Sequence, residues 1–104
     1  MSEIINLAPH EVNVGDIGIP ASGTVARVSV QYNPIGEFDG IPLVEGSYGE
    51  VTDLPEQKEG VLLIVSTPVR IALPERSDLA SPAELIRDDK GVIIGCNSLE
   101  VNRI

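Results

Sequence analysis

Residues 61 to 66 read VLLIVS. Five consecutive apolar positions suit a strand only when both of its faces are covered, so this segment predicts a strand at the centre of a sheet. The next residues, TPVRIAL at 67–73, place Thr67 as a cap and Pro68 at the first helical position, where a missing N–H costs nothing. Pro74 then ends the helix after about two turns. A strand running directly into a short helix is the one α/β-like element expected here, and its helix should cover one face of the sheet.

The remaining pattern is that of short strands. Ile and Val supply 24 of 104 residues, with no Trp, one Phe and two Tyr, a composition that favours β structure over long helices. TVARVSVQY, 24–32, alternates, with Ala26, Val28, Val30 and Tyr32 on one face and Val25, Arg27, Ser29 and Gln31 on the other, which predicts a half-buried strand. NPIGEFDG, 33–40, is dense in turn residues and is expected to be a flexible tip. IPLVEGSYGEVTDL, 41–54, predicts two short strands around Gly46 and Ser47, with Pro42 restricting the first to an edge or bulge. At the start, EIINLAPHEVNV predicts a strand or a bent pair broken at Pro9, followed by a loop through GDIGIPASG.

Two readings compete for SPAELIRDDKGVIIGC, 81–96. Ser81 and Glu84 have capping-box spacing, which would open a helix, whereas Asp89, Lys90 and Gly91 make a turn between arms of equal length. A hairpin is favoured, because an eight-residue helix would bury little more than Leu85 and Ile86. The chain is short enough to be one domain spanning 1–104. The expected fold is a small β-rich α+β domain, mainly antiparallel, with one short helix after the central strand.

Charge narrows the function. The chain carries 16 acidic and seven basic groups, net -9, so a nucleic-acid polymer or an anionic membrane would be repelled before any contact formed. No apolar run approaches the roughly 20 residues of a membrane span, and the start lacks the features of a secretory signal, so an intracellular location is expected. Cys96 is the only cysteine and His10 the only histidine. Neither metal-ligand spacing nor a nucleophile with its base can be assembled from them, so no metal, cofactor or catalytic centre is expected. Cys96, closing an apolar run, reads as a small buried hydrophobe.

Against this acidic background, Arg70, Arg76 and Arg87 fall within 18 residues, with Ser77 and Asp78 beside the second. Guanidinium forks grip phosphate or carboxylate in two places at once, and Asp78 would accept from a ribose hydroxyl or an exocyclic amine. Together they suit a small nucleotide-like ligand, with Ser77 on the sugar or base and His10 and Asn6 at the rim. The competing reading makes Arg76 with Asp78, and Arg87 with Asp88, ion pairs internal to the fold. Ligand binding predicts that Arg76→Ala leaves stability nearly unchanged; an internal pair predicts a large loss.

The segments IINLAPHEV, IPASGTVARV, EVTDLPEQKEGVLLIVS and LPERSDLASPAELIRDDKGVIIGC together resemble a family of small proteins of phages and prophages that carries no established enzymatic activity. The resemblance covers nearly the whole chain, departing at Ala8, where a hydroxyl residue is common, and at Ala83, where glycine is common. It implies an accessory protein made in an infected bacterium and acting in the host cytoplasm. Proteins of similar size and origin sequester nucleotide signals, so the first expectation is a non-enzymatic anti-defence sponge. A homo-oligomer is expected with it, since a subunit interface can enclose a ligand that so small a domain cannot. The alternative is a protein-binding module whose acidic residues 1–69 block a basic host surface, with Phe38 in GEFDG as an anchor. A small hydrolase acting on the same kind of nucleotide is a third possibility.

Overall fold

A computed structural model describes residues 2–103. Its strands are β1 (Glu3–Asn6), β2 (Val12–Val14), β3 (Ile17–Ile19), β4 (Arg27–Phe38), β5 (Ile41–Thr52), β6 (Val61–Ile64), β7 (Leu79–Arg87) and β8 (Ile93–Val101), with one helix, α1 (Thr67–Ala72), between β6 and β7. Six strands form a mixed sheet in the order β1-β6-β7-β8-β2-β3, and β4 pairs only with β5. The fold is therefore β-rich with one short helix.

The apolar run at 61–65 does what its composition requires. β6 lies between β1 and β7 and is parallel to both. Leu63 and Val65 enter one core cluster with Leu7, Val69 and Leu79, while Ile64 enters a second with Ala8, Val12 and Cys96. Alternate residues thus fill opposite sides of one strand. α1 covers the first cluster through Val69, which is fully buried. Thr67 begins the helix, but Ser66 is the capping position and makes no side-chain cap bond, so the expected Thr67 cap is not made.

Two further expectations meet a different outcome. The loop foreseen at 15–23 contains β3, paired antiparallel with β2 through Val12–Ile19 and Val14–Ile17. The region 79–101 is a β-hairpin, as favoured, closed by Asp88, whose Oδ1 accepts from the backbone N–H groups of Lys90 and Val92. The sheet is less uniformly antiparallel than foreseen, because β1-β6, β6-β7 and β2-β8 are parallel joints.

Its two edges lie close together. Only residues 7–11 separate β1 from β2, yet β1 is one edge of the strand order and β2 adjoins the other edge, β3. The sheet curls to satisfy both, and Asn6 fastens the seam. Its Nδ2 donates to the carbonyls of His10 (3.0 Å) and Ile19 (2.9 Å), its Oδ1 accepts from Ala8 N–H, and its carbonyl accepts from Ser22 N–H.

The largest departure concerns 27–52. NPIGEF is not a tip, and IPLVEGSYGEVT is not two strands: each belongs to a 12-residue strand of one continuous hairpin. Asp39 and Gly40, both at positive φ, make the two-residue turn that suits right-twisted strands. Every residue from Ser29 to Glu50 is exposed, so this hairpin is an arm that leaves the body, and the face of 24–32 expected to be buried is so only at Ala26 and partly at Val28, with Val30 and Tyr32 exposed. The radius of gyration is 16.0 Å, against about 13 Å for a compact chain of this length, which an arm of this size explains.

Candidate functional site

The sequence nominated Arg70, Arg76, Ser77, Asp78, Arg87, His10 and Asn6, and the structure distributes them over five places. Arg70 lies inside the molecule, 9 % exposed. Its Nε donates to Ser81 Oγ at 2.8 Å, Nη1 to Asn102 Oδ1 at 3.0 Å, and Nη2 pairs with Glu100 at 3.1 Å. All three guanidinium nitrogens have partners within the fold.

Arg76 leaves the loop after α1 and turns onto Asp78. Nε and Nη2 donate to the two carboxylate oxygens at 2.8 Å each, a bidentate fork, and Nη2 also donates to the Pro55 carbonyl at 3.0 Å. The hydrogen bond to Asp78 holds the Arg76 guanidinium above its ordinary pKa, with burial acting the other way and the Asp78 charge adding to the rise. The Asp78 side chain is almost wholly buried and Ser77 beside it is exposed, accepting from Gln57 Nε2 at 3.4 Å.

Arg87 is not with the other two. It closes β7 six residues beyond Ser81, about 20 Å along an extended strand, and donates to the Gly91 carbonyl of its own turn rather than to Asp88. The structure therefore does not gather the three arginines around one ligand. His10 is exposed, its Nδ1 3.0 Å from the Glu11 carbonyl, and it borders a cleft of about 390 Å³ with Leu85 and Cys96. Asn6 is 1 % exposed and fastens the sheet seam from within rather than standing at a rim.

A shallow groove of about 690 Å³ does contain Ser77 and Asp78, together with Glu3, Gln57, Lys58 and Glu59. Its three carboxylates against one ammonium disfavour a phosphate. Among the described residues no group of His, Cys, Asp and Glu could hold a metal, and every buried side-chain polar atom has a partner. No helix among them is long and apolar enough to cross a membrane.

Eight large apolar side chains are left exposed on the arm, and as many again, among them Ile17, Leu85, Ile93 and Ile94, on the body. The pairing register of the arm fixes the faces of its residues, because residues opposite one another in an antiparallel ladder share a face. Val30 lies opposite Tyr48, Tyr32 opposite Gly46 and Pro34 opposite Val44. A bulge at Ile35 then shifts the register, and beyond it Gly36 lies opposite Leu43 and Phe38 opposite Ile41. An extra residue in one strand reverses which face its later residues occupy. Along β5, Tyr48, Gly46 and Val44 are on one face while Leu43 and Ile41 are on the other. The apolar stripe thus occupies one face near the body and the opposite face near the turn.

The root of the arm forms a continuous hollow with the body. Val30, Tyr32, Gly46 and Tyr48 line a cleft of about 290 Å³ against Pro68 of α1, and Val30 and Pro68 also border a second of about 320 Å³ that reaches Leu7 and Pro9. Phe38, at the far end, is 68 % exposed. Sequence reasoning singled out Phe38 but missed the rest, because Ile35 and Ile41 flank residues that read as a loop. The Asp39-Gly40 pair between apolar residues was the available signal for an uninterrupted hairpin. Neither a protein-family model, nor a curated protein, nor a solved structure matches the chain.

Proposed function

We propose that this chain is a non-enzymatic accessory protein, of the phage or prophage kind its sequence resembles, that works by binding protein through the β4–β5 arm. The observation that carries this reading is the arm itself. It holds eight large apolar side chains between 41 % and 68 % exposed. Taking roughly 150–250 Å² for each aromatic side chain and less for the aliphatic ones, they leave several hundred Å² in water over the two faces, in the range of the ~300–600 Å² largest patch of an ordinary monomer, a patch that is often functional. A two-stranded ribbon is marginal by itself, so an arm of this composition needs a surface to lie on.

A weaker reading keeps the nucleotide-type ligand, and the groove beside Ser77 and Asp78 is its best support. It has to explain why Arg70 and Arg76 are bonded to Ser81, Asn102 and Asp78, and why Arg87 lies on another part of the sheet.

The reading is tested by capture, from bacterial extract to which free wild-type chain has been added, on immobilised wild type and on a Phe38→Asp, Ile41→Asp double variant. Arm-dependent binding retains protein on the wild type only. Equal retention on both overturns it, and release of a nucleotide from the denatured wild type would favour the ligand reading instead.

A further inference from the structure

The arm reading says that protein is bound and leaves open which protein; resting on that reading, we infer that the occupant is a second copy of this chain. The two arms would clasp about a two-fold axis, the outer half of each lying on the root of the other.

Three features of the arm point to a copy of itself. The first is the change of face at the Ile35 bulge. When two ribbons cross antiparallel about an axis perpendicular to their plane, they run side by side at the midpoint. Beyond it, each outer half passes over the partner's root on the same side. That overlay needs an apolar surface facing up on the root and facing down on the outer half. Tyr32, Val44 and Tyr48 supply the one, and Phe38, Ile41 and Leu43 the other. An arm apolar on a single face would stack flat and would need no bulge.

The second feature is where the carboxylates are. Glu37 lies opposite Pro42 on the outer half, and Glu45 opposite Asn33 near the root. In each half this is the face away from the apolar stripe, so the paired positions of the two apolar faces carry no carboxylate, Asp39 lying in the turn and Glu50 at the irregularity beyond Tyr48. Two chains of net -9 repel, and the apolar faces are those on which self-association meets least local repulsion. A basic partner would instead engage Glu37 and Glu45, on faces that point opposite ways.

The third is area. Several hundred Å² of apolar arm surface per copy, together with the backbone and polar atoms covered beside it, approaches the ~800 Å² per partner of a standard stable interface. Contact of this kind is isologous, since tip meets root and root meets tip, and it closes at two copies.

Sedimentation equilibrium tests the clasp. Wild type is expected to be a dimer whose association tightens several-fold as salt rises from about 0.05 to 0.5 M, because screening removes the repulsion between two acidic bodies. Phe38→Asp is expected to raise the dissociation constant at least ~30-fold while leaving the circular dichroism unchanged. Geometry is read by cysteine pairs, the native Cys96 being buried. A Phe38→Cys copy should cross-link to a Tyr48→Cys copy, and neither to itself. A wild-type monomer at about 100 µM, a dimer indifferent to Phe38→Asp, or tip-to-tip cross-linking of Phe38→Cys overturns the clasp. A monomer that still captures another protein through its arm would remove the second copy and leave the arm reading standing. Equal capture by wild type and tip variant would remove both.

Discussion

Asn102 and Arg70 hold each other reciprocally: Arg70 Nη1 donates to Asn102 Oδ1, and Asn102 Nδ2 donates to the Arg70 carbonyl, both at 3.0 Å. The same Nδ2 is shared with the carbonyls of Leu73 (3.0 Å) and Arg76 (3.2 Å). A helix of six residues leaves carbonyls at its end that need donors. Here the backbone N–H groups of Leu73, Arg76 and Leu79 bond the carbonyls of Arg70, Leu73 and Arg76, and one side chain, 32 residues beyond Arg70, adds a second donor to all three.

Asn102→Ala is therefore expected to cost about 1–2 kcal/mol, measured by urea unfolding, since Arg70 Nη1 loses its acceptor while the three carbonyls lose a second donor and keep their backbone bonds. Asn102→Asp keeps the acceptor and loses the donor. It should fall between wild type and Ala if the bond from Arg70 matters as much as those to the carbonyls.

Arg76→Ala should destabilise by about 3 kcal/mol, because it leaves the buried Asp78 carboxylate without its fork. Changing both to a neutral pair, Arg76→Met with Asp78→Leu, should recover much of that loss. The sign with pH follows from the raised pKa of Arg76. A cation favoured by folding stabilises the protein below its unfolded pKa, and that contribution is lost only as pH climbs through the folded value. No weakening from this pair is expected between neutral pH and the mildly alkaline range, and a thermal midpoint that fell steadily there with Arg76 as its cause would contradict the assignment.

Tyr32 and Gly46 make the arm a place to separate glycines by conformation. A methyl added at Gly46 would meet the Tyr32 ring at 3.5 Å, ordinary contact, so the ring covers a strand position that has no side chain of its own. Gly46→Ala should slow amide exchange in the arm roughly two- to five-fold, from the ~0.5–1 kcal/mol by which Ala exceeds Gly in a strand. Gly36, at φ +142, has free space around it but the wrong backbone for an L residue. Gly36→Ala should speed exchange at least ~5-fold, given the ~1–3 kcal/mol of such strain.

Asn6→Ala should cost about 2–4 kcal/mol in urea and loosen β3 before the rest, since it orphans the Ala8 N–H and the carbonyls of His10 and Ile19. Hydrogen exchange at Ile17–Ile19 reads the local part of the effect. Asn6→Asp keeps the acceptor for Ala8 and should leave β3 equally loose.

These residues also show what could be read in advance. VLLIVS and TPVRI declared a buried strand and a helix because both signals are local: an unbroken apolar run, and a proline where no N–H is needed. The hairpin at 79–101 was legible from Asp88 to Gly91 for the same reason. The arm was not, since Pro34, Gly36 and Pro42 weaken strand propensity one residue at a time, and only the pairing of 12 residues with 12 overrides them. The arginines were visible as charges but not as directions. Whether Arg76 reaches outward or folds onto Asp78 is decided by the Pro55 carbonyl, which no spacing in the sequence brings near. Asn102 carries no motif at all.

The strand order of the six-stranded sheet bears on the birth of the protein. β1 takes its ladder from Val61–Ile64, and β2 meets β8 at Cys96. A chain emerging at about 5–20 residues per second holds β1 without its ladder, and the β2–β3 pair without β8, until most of the sequence has followed them. The β4–β5 ladder joins neighbouring segments and can begin to form meanwhile, ahead of its contacts with α1. The newborn chain thus offers a sticky ribbon several seconds before it has a body to carry it, and a neighbouring nascent copy would be met first through that ribbon.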